Sequence, residues 1–174
     1  MWIDRVVELE PARRLVAIKN VSLAEEHLHD HFPAEGGAPA APVMPASLII
    51  EGMAQTAGLL VGHAGNFDQK VILAKITKAA LDRDAPPGVT LRYTAELERM
   101  EREGASSRGV VELLDHGAPE PAYERIGQID LLFSHLDANQ GTAQGFPEHN
   151  FVFGEQFRTL LRVSGVPMPG AADA

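Results

Sequence analysis

Between Leu91 and Glu98 the chain alternates strictly: Leu91, Tyr93, Ala95 and Leu97 are apolar, while Arg92, Thr94, Glu96 and Glu98 are polar. A period of two predicts a strand with one face buried and one in water. Apolar runs at Val71–Ala80, Gly109–Leu114 and Tyr123–Leu136 predict three further strands. Turns are expected at Asp84-Ala85-Pro86-Pro87-Gly88, at Gly104–Arg108 and at His116–Pro121. The strands after Gly88 would form an antiparallel meander. Nearer the start, Val6–Leu9 and Arg14–Val21 flank Glu10-Pro11-Ala12 and predict a β-hairpin.

Helical signals interrupt this pattern in three places. Ser22-Leu23-Ala24-Glu25 has the form of a capping box, and Phe32-Pro33 soon after requires any helix there to be brief. Ala34–Pro42 is glycine- and proline-rich and reads as a loop. Pro45–Gly62 is apolar nearly all round, with Glu51 and Gln55 as its large polar side chains; this predicts a central helix buried on every face, with Pro45 as its first residue. After a polar linker at Asp137–Asn150, Phe153, Phe157, Leu160 and Leu161 fall on one face of an amphipathic helix, and Pro167–Ala174 reads as a tail. The expected fold is α+β, an antiparallel sheet on a central helix, with residues 1–136 as the domain and 137–174 as linker, added helix and tail.

The 174 residues suit one such domain, and the formal net charge of −9 excludes a surface that is basic throughout, as general nucleic-acid wrapping requires. The absence of cysteine excludes disulfides, thiolate-bound zinc and a thiol nucleophile. Charges at Asp4 and Arg5 argue against a signal peptide, and the stretch Ala38–Ile50 is too short and proline-rich to span a bilayer. A cytoplasmic protein without a membrane span is expected.

Two side chains invite a chemical reading. Glu51 lies in the middle of an apolar helix; it either turns outward or is tied to Gln55, one turn on, or it is an acid whose burial retains its proton. His31 precedes a proline-rich loop; it is either structural or a base suited to neutral pH.

Taken together, His31-Phe32-Pro33, Pro42-Val43-Met44-Pro45 and Leu48-Ile49-Ile50-Glu51-Gly52-Met53-Ala54-Gln55 resemble the (3R)-hydroxyacyl-[acyl-carrier-protein] dehydratases of the FabZ type. The resemblance extends more weakly over Ile3–Leu136. It implies the hotdog fold, a curved antiparallel sheet wrapped around one long helix, assembled as a homodimer or trimer of dimers. It implies no cofactor and no metal. The partner it implies is acyl carrier protein with its acyl chain on 4′-phosphopantetheine. It further implies that His31 removes the C2 proton and that Glu51 of the other chain protonates or orients the departing 3-hydroxyl. The N–H of Ala46 would serve the thioester oxyanion at the helix N-terminus, and Phe32, Pro33, Val43, Met44 and Gln55 would contact substrate. With Glu rather than Asp at position 51, dehydration without isomerisation is expected.

Three departures from the family pattern stand out. Ala34 and Ala46 replace glycines, and eight residues separate Pro33 from Pro42 where about two are usual. If position 46 needed a positive φ, alanine there would be strained. The alternation of His27, His29 and His31 would suit a zinc site only on a strand, which the capping box at Ser22 opposes. No phosphate-binding glycine loop or nucleophile elbow is present. Lys70, Lys75 and Lys78 form a basic stretch, either a plain solvated edge or a patch that steers an acidic carrier protein. Two other functions fit the same fold: an acyl thioesterase, which His31 opposes, and a non-catalytic acyl-binding partner.

Overall fold

The computed structural model describes residues 1–136 and 152–167. Its strands are β1 (Arg5–Glu10), β2 (Arg14–Asn20), β3 (Lys70–Leu81), β4 (Val89–Met100), β5 (Gly104–Asp115) and β6 (Tyr123–Leu136). Its helices are α1 (Glu26–His29), α2 (Ala46–Ala64) and α3 (Glu155–Val163). The six strands form one antiparallel sheet in the order β1-β2-β4-β5-β6-β3, curved around α2. This is the expected α+β hotdog arrangement, with β4-β5-β6 as the meander.

Small residues on the inner face of β5 let α2 approach the sheet closely. Ala105, Ser107, Gly109, Val111 and Leu113 alternate inward along that strand. A Cβ on Gly109 would stand 2.4 Å from the Ile129 carbonyl oxygen and 2.5 Å from Met53 Sδ. The same feature corrects the expected turn at Gly104–Arg108, which is strand. The chain reverses just before it, where Glu101 N–H donates to the Gly104 carbonyl.

Four other local expectations are revised. Pro45 is the N-cap of α2 rather than its first residue, and the helix runs on to Ala64. That helix is not buried all round: Ser47 and Glu51 are exposed and Gln55 and Gly58 half-buried, forming an open stripe along one side. At Ser22 the reciprocal bonds close a turn ahead of α1, with Ser22 N–H donating to Glu25 and Ala24 N–H to Ser22 Oγ, so Glu25 is the helix N-cap. The loop Ala34–Pro42 contains a small hairpin: Phe32 pairs with Ala41 and Glu35 with Ala38, around Gly36 (φ 59°) and Gly37 (φ 87°). Those two positive angles are those of a type I′ turn, which glycine adopts without strain.

The C-terminal segment joins the same core. Phe153, Leu160 and Leu161 are buried with the residues of the sheet and α2. Phe153 lies two residues before α3, so the apolar face starts in the turn that leads into that helix. Its ring packs against Phe67 at 4.7 Å between centroids, over Gly62 of α2. At the other end of α3, Ser164 Oγ accepts the N–H of Val6 beside the bulge in β1. The linker expected at Asp137–Asn150, and the tail beyond Pro167, lie outside the described residues.

Candidate active site

Glu51 and Gln55 sit one turn apart on the open stripe of α2. Gln55 Nε2–H donates to Glu51 Oε1 at 3.0 Å, and Gln55 Oε1 accepts the backbone N–H of Trp2 at 2.9 Å. These two bonds fix which way the amide points. They hold Glu51 Oε1 on the Gln55 side and leave Oε2 for other work. The outward, Gln55-paired reading of Glu51 therefore describes its place in the single chain. Trp2 carries no motif, and only the folded chain reveals its role in this relay.

The carboxylate opens onto a cavity of about 430 Å³. Beyond Glu51 and Gln55 its lining is apolar: Gly58 and Leu59 of α2, Val71–Leu73 of β3, Phe133 of β6, and Val152, Phe153 and Phe157. The polar groups thus lie at one end of a greasy pocket, as an acyl thioester requires.

His31 follows α1 and is half-buried. Its Nδ1 lies 2.8 Å from the Leu28 carbonyl. A carbonyl only accepts, so Nδ1 carries the hydrogen, and Nε2 is the nitrogen that bears the lone pair in the neutral imidazole. The segment bearing it is braced from below. Lys19 is buried between Glu25 and Asp4; burial lowers its pKa, but the hydrogen bonds to those carboxylates outweigh this, and its net shift is upward. The ring of His27 meets Trp2 edge-on at 5.2 Å. His27 and His29 belong to α1, where two residues span about 200° of helix rotation, so they do not share a face with each other.

The remaining candidate residues are dispersed. Phe32 is 82% exposed on the first rung of the inserted hairpin, and Pro33 follows it at the surface. Val43 is half-buried, whereas the Met44 side chain belongs to the core and its N–H donates to the Ala85 carbonyl. Ala46 begins α2 and is not among the residues with positive φ, so alanine fits there without strain. With Met44 it borders a separate cavity beside Asp82, Arg83 and Asp84. The pocket of Glu51 does not include His31. Within one chain, His31 and Glu51 do not share this cavity.

Residues 1–114 match the family model of the FabA-like domain. The 3-hydroxyacyl-[acyl-carrier-protein] dehydratase FabZ of Chloroflexus aggregans is 42% identical over 141 residues, covering 79% of this chain and 86% of that protein. The FabZ of Symbiobacterium thermophilum is 36% identical over 137 residues, covering 70% and 92% respectively.

The chain belongs to the FabZ-type dehydratases of the FabA-like family.

Membership brings the reaction with it: a hydro-lyase step on 3-hydroxyacyl thioesters in fatty acid biosynthesis. Among solved structures, the dehydratase heterocomplex ApeI:P of Xenorhabdus doucetiae superposes with a TM-score of 0.61 at 15% identity, covering 83% of this chain and 88% of that one. A thioesterase superfamily member from Thermus thermophilus reaches 0.57, also at 15% identity, with 90% and 96% covered. Such distant likenesses establish the hotdog fold and leave the thioesterase reading without specific support.

Proposed function

We propose that this chain dehydrates (3R)-3-hydroxyacyl groups carried on the phosphopantetheine of acyl carrier protein, in a site shared between two copies. His31 Nε2 of one chain takes the C2 proton, the C–H electron pair forms the C2–C3 double bond, and the C3–O bond breaks. The other chain's Glu51 delivers the proton that lets the hydroxyl leave as water. The supporting observation is the separation of the two groups: Glu51 heads an apolar pocket from which its own chain's His31 is absent. The N–H groups at the start of α2, Ala46 among them, carry the free donors and dipole that stabilise the thioester oxygen as charge develops in this reading. No cofactor or metal is required for this elimination.

A second copy also answers a structural need. The edge strand β3 is exposed along most of its length, and Leu73, Ile76 and the neighbouring Leu132 present apolar surface. A long open edge with apolar side chains is a template for another strand, and hotdog proteins are commonly dimeric. Pairing of two β3 edges would give the homodimer from which a trimer of dimers is built. Of the basic stretch, Lys70 is buried, so Lys75 and Lys78 are the ones exposed toward an acidic carrier protein. No helix among the described residues is long and apolar enough to cross a membrane, and we place the reaction in the cytoplasm.

The test is complementation. His31→Ala and Glu51→Ala chains, each nearly inactive alone, are mixed in equal amounts and allowed to exchange. Half the dimers are then mixed, and one of their two sites has both native groups, so about a quarter of wild-type turnover is expected. Heterodimers that form without activity would refute the shared site.

A further inference from the structure

We propose that the segment Val152–Phe157 is the closed end of the acyl cavity and sets the longest acyl chain the enzyme accepts. This rests on Glu51 as the reacting carboxyl at the opposite end. Along α2 the lining runs from Glu51 through Gln55 to Gly58 and Leu59, a rise of eight residues that spans about 12 Å at 1.5 Å per residue. A fully extended hydrocarbon built from ~1.52 Å bonds advances roughly 1.25 Å per carbon, so about ten carbons fit before the far wall.

That wall is aromatic and fixed. Phe153 is buried, and its ring lies close enough to Gly62 that a Cβ there would stand 2.4 Å from it. Phe157 packs on Phe153 at 5.9 Å between ring centroids and is half-buried, with part of its surface turned to the cavity. Every one of these wall residues lies beyond the match to the family model, which stops at residue 114. The reaction is therefore the family's, while the depth of the pocket comes from a segment outside the matched domain.

Gly58 lies toward the far end of that span, seven residues and about 10.5 Å along α2 from Glu51. A Cβ built there meets only Phe133, at an ordinary 3.7 Å, so a larger side chain enters open space rather than the core. Two substitutions consequently move the limit in opposite directions. Phe157→Ala removes part of the wall, and Gly58→Leu fills the cavity just short of it.

The experiment uses the full-length protein with a ladder of carrier-linked 3-hydroxyacyl substrates from short to long. A parallel ladder of unreactive acyl-phosphopantetheine thioesters is measured by ligand-induced thermal shift. For Phe157→Ala the ratio of long-chain to short-chain kcat/KM should rise about tenfold, and for Gly58→Leu it should fall at least tenfold, with the binding ladder moving in parallel. Should Phe157→Ala fail to fold, the Gly58→Leu result and the parent's own cut-off near ten carbons still decide the matter. Unchanged chain-length profiles in folded variants would overturn the proposal. A parent that binds the acyl ladder with the expected cut-off but dehydrates none of it would instead overturn the reading of Glu51 and His31, leaving the wall in place.

Discussion

Phe153→Ala tests whether the C-terminal segment is an integral part of the core. The Phe153 side chain is 4% exposed and touches three partners: Phe67 at 4.7 Å and Phe157 at 5.9 Å between centroids, and the bare backbone of Gly62. Replacing such a ring by a methyl group forfeits its transfer energy and leaves a cavity, together about 3–5 kcal/mol. At about 2–4 °C per kcal/mol for a chain of this size, the melting temperature should fall by roughly 6–20 °C in calorimetry. Gly62→Ala attacks the same contact from the helix side. Alanine is the better helix former by about 1 kcal/mol, but its methyl would stand 2.4 Å from Phe153 Cζ and 2.8 Å from Phe67 Cδ1. Its cost should therefore shrink in the Phe153→Ala background, where one of the two obstructing rings is gone. A melting temperature for Phe153→Ala within about 2 °C of the parent's, or a Gly62→Ala variant more stable than the parent, would refute the docked arrangement.

Two further outcomes are expected. Tyr93 is buried with its hydroxyl unpartnered among the described residues, and burial first, with Asp4 and Glu25 adding to it, pushes its pKa well above 10.0. The folded state keeps the phenol neutral while the unfolded chain ionises, so stability should decline above about pH 10; Tyr93→Phe should lessen that decline, leaving the part that follows from the raised pKa of Lys19, and cost little at neutral pH, as alkaline denaturation curves will show. Gly109→Ala forces a methyl to within 2.4 Å of the Ile129 backbone oxygen, whereas at Gly58 the nearest atom is 3.7 Å away. Denaturant titration should therefore show Gly109→Ala losing at least about 1–3 kcal/mol and Gly58→Ala neutral or stabilised; equal effects would mean that β5 is not packed tightly at Gly109 against Ile129 of β6 and Met53 of α2.

What local sequence determined is what local forces determine. Alternation from Leu91 to Leu97 specifies one wet and one dry face, and it emerges as β4 with Leu91, Tyr93 and Ala95 buried. Proline at position 45 marks the start of α2 to within a residue. The spacing from His31 through Pro45 to Glu51 and Gln55 carried the family and the candidate acid and base. The run Gly104-Ala105-Ser106-Ser107-Arg108 was opaque for the opposite reason. Its small residues resemble a turn when read locally, yet they lie on a strand because they pair with β4 on one side and β6 on the other, where the Phe133 carbonyl leaves no room for a Cβ at Gly104. The type I′ hairpin at Gly36-Gly37 was readable in its glycine pair, but proline and alanine around it gave no alternation to support strands. The open stripe of α2 could not be read from composition, because glycine and alanine suit a buried face and a cavity wall alike. Only the tertiary structure set Trp2 against Gln55, placed the pocket of Glu51 apart from His31, and brought Phe153 and Phe157 from the far end of the chain to close it. Those contacts join residues distant in sequence, and they are set by how the sheet curves around the helix, a property no short stretch of chain possesses.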